Sequence, residues 1–256
     1  MPSVDPLIDT NVCFGEWPFG TVGITNAAKL RQRLTAAGIG TALVSHVAPI
    51  FNPEPDHGNQ RLFTALRKQD DLIAIPVVSP VLRGWEDLLD RYREQQGIRA
   101  IKVFPNFHRF SLTGPAMDRL VDYVRSHDLK LMVNIRMVDE RHQYFGLKIA
   151  GVRVRDLASF SRRHGDFKYL CLGLYRPEIL ELAEKCGNFL TDFSFADWQY
   201  LIEELLGKLP AERIVFGSHT PLMVTQANVD HLRCSGIAKS TMRKIGSANA
   251  KRFFGL

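Results

Sequence analysis

Eight short apolar runs, rich in Val, Ile and Leu, alternate along the chain with longer stretches whose apolar residues recur at three- and four-residue spacing. Runs that short suit strands buried on both faces, and the longer stretches suit amphipathic helices laid over them. The chain therefore reads as repeated βα units around a parallel sheet. The runs cover residues 7–12, 41–46, 72–78, 100–104, 131–135, 169–174, 189–193 and 214–216. After the first of them, Asn26 is placed to cap a helix over 26–37 and Gly38 to end it. The second leads into turn chemistry at Pro49, Pro53 and Pro55. Helices are predicted over 59–68 and 85–95, the second closed by Gly97. Pro115 opens another, in which Met117, Leu120, Val121 and Val124 fall on one face. No repeat, low-complexity segment or long linker interrupts this rhythm, which predicts one domain over residues 1–256.

Polar side chains gather where the runs end, which is where α/β folds keep their chemistry. The fourth run leaves through Pro105-Asn106-Phe107-His108-Arg109-Phe110, aromatic and polar together. The fifth is followed by a long polar excursion over 136–154 that carries Arg136, Asp139, Glu140, Arg141 and His142, more typical of a working loop than of a spacer. In the eighth, Ile214-Val215-Phe216 ends at Gly217, whose sharp turn delivers Ser218 and His219.

Composition narrows the classes of function. The chain has 256 residues, 45% of them apolar, the usual size of one (β/α)8 barrel. Thirty-three basic against 27 acidic residues give a formal charge of +6, but the basic residues are scattered or sit beside acids. Without a basic stripe, that excess points away from nucleic acid and toward a soluble surface or a mouth that attracts anions. No basic region followed by an apolar run opens the chain, and no apolar segment approaches the roughly 20 residues of a membrane helix. Cys13, Cys171, Cys186 and Cys234 are dispersed with no Cys-x-x-Cys pair, the usage of reduced thiols in a cytoplasmic protein.

Several stretches resemble, in order, the amidohydrolase superfamily, specifically its family 2 branch of hydrolases and decarboxylases. Ile8-Asp9-Thr10-Asn11-Val12-Cys13-Phe14-Gly15 is similar to the family's opening Ile-Asp-x-His-x-His-x-Gly. Residues 97–105 are similar to its Gly-x-x-Gly-Ile-Lys-Leu-His-Pro, and Leu131-Met132-Val133-Asn134 to its Val-x-Ile-His. Phe216-Gly217-Ser218-His219 stands where members read Phe-Gly-Ser-Asp, and residues 249–256 are close to Asn-Ala-x-Arg-Leu-(Phe/Leu)-Gly-Leu. The resemblance implies a distorted TIM barrel with its site at the carboxyl ends of the strands. It also implies one or two divalent metals held by four His and an Asp. Here those positions read Asn11, Cys13, Asn134, Leu172 or Gly173, and His219. Cys13 and His219 are too few donors for a zinc that activates water, so neither metal nor other cofactor is expected.

The catalytic candidates are then His219, at the family's proton-shuttling position, and Lys102. Asn11, Cys13, Asn106, Asn134, Arg136, His142 and Ser218 are expected to line the substrate. Each has a plainer reading: Cys13 as a small hydrophobe, His219 as a hydrogen-bonded structural residue, Lys102 as half of a pair with Asp192. His46 and His108 read as locally bonded, and His57, His127, His164 and His231 have no assigned role. The expected activity is metal-independent hydrolysis, or decarboxylase-type lysis, of a small anionic compound, a lactone or carboxylated ring. Lys102 and Arg136 would polarise the carbonyl while His219 steers water or a proton. Two alternatives stay open: a silent barrel that binds a ligand or partner, and a metal site rebuilt from Cys13, His219 and a loop ligand such as His142. Expected partners are a small molecule and, in an assembly, a second copy as a homodimer, with neither nucleic acid nor membrane.

Overall fold

Two parallel sheets, joined edge to edge, build the molecule. The computed structural model describes residues 6–52, 54–144, 146 and 148–256. Expectations placed on residues 1–5, on Pro53 and on residues 145 and 147 lie outside the described residues. The first sheet holds β1 (Leu7–Phe14), β2 (Ile39–His46) and β3 (Leu72–Ala74). The second holds β4 (Ala100–Val103), β5 (Lys130–Asn134), β6 (Tyr169–Leu172) and β7 (Phe189–Thr191). The helices between and after them are α1 (Ala27–Ala36), α2 (Ala48–Phe51), α3 (Pro55–Leu66), α4 (Trp85–Gln96), α5 (Pro115–Ser126), α6 (Val154–Arg163), α7 (Arg176–Lys185), α8 (Leu201–Leu206), α9 (Thr225–Arg233), α10 (Lys239–Arg243) and α11 (Asn249–Phe254).

The sheets close on each other as a (β/α)8 TIM barrel. Between β3 and β4, Lys102 N donates to Pro76 O at 2.9 Å and Val78 N to Lys102 O at 3.0 Å. The remaining gap is filled by residues 214–220: Val215 N donates to Thr191 O at 2.9 Å, and Thr10 N and Cys13 N donate to Phe216 O and Thr220 O at 3.0 and 2.9 Å. The apolar run at 214–216 thus takes the eighth position, but without a regular ladder. Side chains capture its backbone groups instead: Asn249 Nδ2 donates to Ile214 O at 2.8 Å, and Ser218 N donates to Asp9 Oδ1 at 2.9 Å. A similar substitution shortens β3, expected over 72–78. Pro76 has no N–H, and the buried Asn59 amide takes both the N–H and the carbonyl of Val77, at 2.9 and 2.8 Å.

The helices follow their caps. Asn26 Oδ1 accepts from Lys29 N at 2.9 Å, and Gly38, at φ +76°, turns the chain out of α1 where a side chain would be strained. The expected helix over 59–68 begins earlier, at Pro55, because proline at the first helical position gives up an N–H that has no intrahelical partner anyway. The α5 face of Met117, Leu120, Val121 and Val124 is buried as its spacing requires.

Inside the ring, Ile8, Leu43, Ile75, Ala100, Met132 and Val215 pack as one apolar layer. Side chains two residues further along a strand return to the same face. The layer above is therefore Lys102 on β4, Asn134 at the end of β5, Asp192 after β7 and Gly217 in the eighth segment. A third layer, with Cys13, Val77, Phe104 and Met137, is apolar again. A polar belt lies between two apolar layers, toward the carboxyl ends of the strands.

Candidate active site

The belt is buried, and its geometry follows from a few close approaches. The register of β1 slips between Asp9 and Val12, which brings both Asp9 and Asn11 to the belt. Asn11 bridges it: its Oδ1 accepts from Lys102 Nζ at 3.5 Å, and its Nδ2 donates to Asp192 Oδ2 at 2.9 Å. Asp192 is further held by Ser194 Oγ at 2.6 Å and Gly173 N at 3.2 Å. Gly217 makes room for this. A Cβ there would stand 2.7 Å from Asp192 Oδ2 and 3.2 Å from the Cβ of Asn11. Gly217→Ala is accordingly expected to cost about 1–3 kcal/mol, as overpacked cores do, read as a lowered urea midpoint with an unchanged slope.

Among the described residues, Lys102, 2% exposed, has no other hydrogen bond, and no carboxylate lies within 4 Å of its Nζ. Asp192, the partner expected for it, reaches it only through the neutral Asn11 amide. Burial lowers the Lys102 pKa to about 8, while Cys13, Asp192 and Asp9 pull it back upward. Burial has the opposite effect on the acids and the thiol: Asp9 is raised to about 7, Asp192 is raised, and Cys13 is raised to about 12. Asp9 Oδ1 accepts from Ser218 N and Asn11 N, and its Oδ2 is buried with no partner. Asn134 is similarly half-used, its Oδ1 accepting from Arg136 N at 3.1 Å and its Nδ2 buried without an acceptor.

His219 sits at φ +54°, in the left-handed region that non-glycine residues rarely adopt. The hydroxyls of Ser218, Thr220 and Thr225 hold that turn, spaced 2.6 and 2.7 Å apart. Its Nε2 donates to Met137 O at 2.7 Å, which assigns the lone pair to Nδ1. Burial lowers its pKa to about 4, so the imidazole is neutral at pH 7 rather than poised between forms, as its position suggested.

Three of the expected substrate contacts have other work in this structure, and a fourth lies outside the belt. All five N–H groups of Arg136 are taken, by Glu140, Glu178 and Gly173 O, and its guanidinium lies 3.8 Å from the Tyr175 ring centre. It has no donor left for a substrate and straps the exit of β5 to α7. Ser218 Oγ accepts from Thr220 N and is bonded to Thr220 Oγ1. Asn106 Nδ2 braces the same exit through Ile135 O and Ala150 O. His142 is exposed on a 3-10 turn, outside the belt. It edges a cleft of about 280 Å³ with Trp17, Phe19, Phe107, Val138 and Tyr144. Trp17, Phe51 and Phe107 form the floor of this region, packed on Cys13, Phe104 and Met137 above the belt. Larger grooves, of about 590 and 850 Å³, lie at the amino ends of the strands around Lys130 and Arg252, the end of such barrels that serves stability.

Asp9 received no role from the sequence. The available signal was an acid inside an apolar run, which a buried strand tolerates only with partners or a proton.

The residues present do not fit a catalytic divalent ion. Among the described residues no group of three or more His, Cys, Asp or Glu is arranged to hold one. His219 has only its Nδ1 left to offer, the Cys13 thiol is neutral, Asn11 and Asn134 are amides, and the belt already contains the Lys102 side chain.

A parallel eight-membered barrel with its polar side chains collected toward the carboxyl ends of the strands defines the class of TIM-barrel proteins that carry their chemistry at that end. The chain matches the Amidohydrolase family model over residues 36–256, and it belongs to that family. No curated protein matches it. Among solved structures it is similar to 2,6-dihydroxybenzoate decarboxylase from Rhizobium, at 14% identity and a TM-score of 0.76 over 98% of this chain and 99% of that one. It is similar also to dihydroxybenzoic acid decarboxylase from Polaromonas, solved with manganese and the inhibitor 2-nitroresorcinol, at 14% identity and a TM-score of 0.75 over 98% and 97%. An uncharacterised TIM-barrel protein from Bordetella bronchiseptica aligns at 12% identity and a TM-score of 0.70 over 98% of each chain. At these identities the likeness establishes the fold. No helix among the described residues is long and apolar enough to cross a membrane.

Proposed function

We propose that this protein is a metal-independent enzyme acting on a small anionic ring compound, a carboxylated ring or a lactone, with the Lys102 ammonium as its electrophilic centre. One observation carries the reading: the belt holds unspent donors, Lys102 Nζ beyond its single long bond and the unpartnered Asn134 Nδ2. Buried donors without acceptors are costly, and a carboxylate or carbonyl oxygen supplies what they lack. The acids of the belt give the proton chemistry. Asp9, half protonated near pH 7, has the unbonded oxygen needed to hand a proton to a leaving oxygen or ring carbon. Neutral His219 offers Nδ1 as an acceptor that orients water. Trp17, Phe51 and Phe107 lie over the belt, on the side from which substrate reaches it. Carboxylated rings are favoured because two of the similar structures are decarboxylases of dihydroxybenzoates.

The test is a screen of aromatic carboxylates and small lactones with chelator-treated protein. Conversion that survives chelation supports the reading, and conversion that appears only when manganese or zinc is added overturns it. The sealed, largely self-bonded belt also favours a second reading, a barrel that binds without converting. A ligand from the screen that raises Tm but is recovered unchanged would select that one.

A further inference from the structure

We propose that Lys102 also acts as an amine nucleophile, capturing small anionic aldehydes and ketones as a protonated imine on its Nζ. This goes beyond the ammonium role and rests on the same side chain at the same site. The geometry singles it out: a lysine amine inside a barrel, 2% exposed, without a carboxylate in contact and tied only by a 3.5 Å bond to a neutral amide. A close carboxylate would lock the ammonium; an amide does not. Burial makes the uncharged amine more accessible than on an exposed lysine, which is the usual activation of imine-forming lysines.

The neighbouring groups balance the step. The Nζ lone pair forms the C–N bond while the carbonyl π pair moves to oxygen. That oxygen takes one proton from the amine and one from the Asp9 carboxyl, whose Oδ2 has no other partner, and leaves as water. Nitrogen keeps one hydrogen as the protonated imine, and Asp9 is left as the carboxylate that, with Asp192, faces the new positive charge. Cys13, a nucleophile in the apolar layer above, does not compete, because its thiol stays protonated.

The experiment uses the unmodified protein, with glyoxylate as the carbonyl probe and cyanoborohydride to reduce any imine, followed by peptide mapping at neutral pH. Reduced adduct is expected at Lys102 about tenfold or more above the exposed Lys29 and Lys251, since burial raises the uncharged fraction of the Lys102 amine. Lys102→Arg should lose that adduct and keep the exposed ones. Adduct confined to exposed lysines overturns the proposal, whether the cause is reactivity or access through the aromatic cap. Failure of this inference and failure of the proposed function separate cleanly. Conversion of a ring acid that depends on Lys102 but gives no trapped imine leaves the ammonium role standing alone. Trapping at Lys102 without any conversion in the screen does the reverse.

Discussion

Replacing Lys102 with Met is expected to lower kcat/KM on any ring acid or lactone found as substrate by on the order of a hundred- to a thousandfold, the usual loss when one preorganised charge-stabilising donor is removed. The fold should survive. Methionine matches the length of the lysine stem, and Lys102 brings no close ion pair to break. The carboxylates it leaves behind are supported independently: Asp192 accepts from Asn11, Ser194 and Gly173 N, and Asp9 accepts two backbone N–H groups. Relief of the buried ammonium's desolvation offsets the attraction lost, so Tm should stay within a few degrees of the parent. Intact turnover in Lys102→Met would remove the central residue of the proposed chemistry. A collapse of Tm would show instead that the ammonium is a structural keystone.

How much of this was legible in the sequence depends on which kind of contact decides each feature. Strand and helix positions came from apolar periodicity, because burial by the ring and its helices is set by residue type along the chain. The polar belt was partly legible for the same reason: Lys102, Asn134 and Asp192 each stand two residues beyond an inner-layer side chain, and alternation alone places them on its face. What stayed hidden were the partners. Arg136 sits at a strand exit, where an arginine is suited to clasp a carboxylate, but the carboxylates it clasps are Glu140 and Glu178 of its own chain. Glu178 is 42 positions away, and no local pattern announces the pairing. His219 read as a titrating group because it stands at the family's proton-shuttling position, whereas its neighbours in space are Phe195 and the Met137 carbonyl. Asp9 was passed over because the slip in β1 register that aims it at the belt has no composition signal. In each case the chain displayed the residue's chemistry, and the fold decided what that chemistry was used for.

Asp9→Asn should remove a loss of stability with rising pH between about 4 and 7. The folded pKa of Asp9, about 7, lies above its ordinary 3.8, so across that interval the folded protein keeps a proton that the unfolded chain has released. The sign follows: the contribution of Asp9 is fully present below pH 3.8 and is lost as pH rises through 7. Over about three pH units at about 1.4 kcal/mol each, the loss is on the order of 4 kcal/mol. Lys102 acts in the opposite sense higher up. Its folded pKa, about 8, lies below the ordinary 10.5, so stability is regained as pH climbs between those values. The summed contribution of these two groups is smallest near neutrality, where Asp9 is half ionised and Lys102 still largely charged. Asparagine keeps the acceptor for Ser218 N and Asn11 N but places an amide where Oδ2 has no partner, a cost of about 1–3 kcal/mol that does not vary with pH. The slope is therefore the quantity to compare. Urea unfolding of parent and variant at several pH values from 4 to 8 should show the parent losing stability relative to Asp9→Asn as pH rises, with the difference levelling off above 7. Parallel curves would mean that Asp9 ionises as freely inside the barrel as outside it, and the proton assigned to it at neutral pH would have to come from another group.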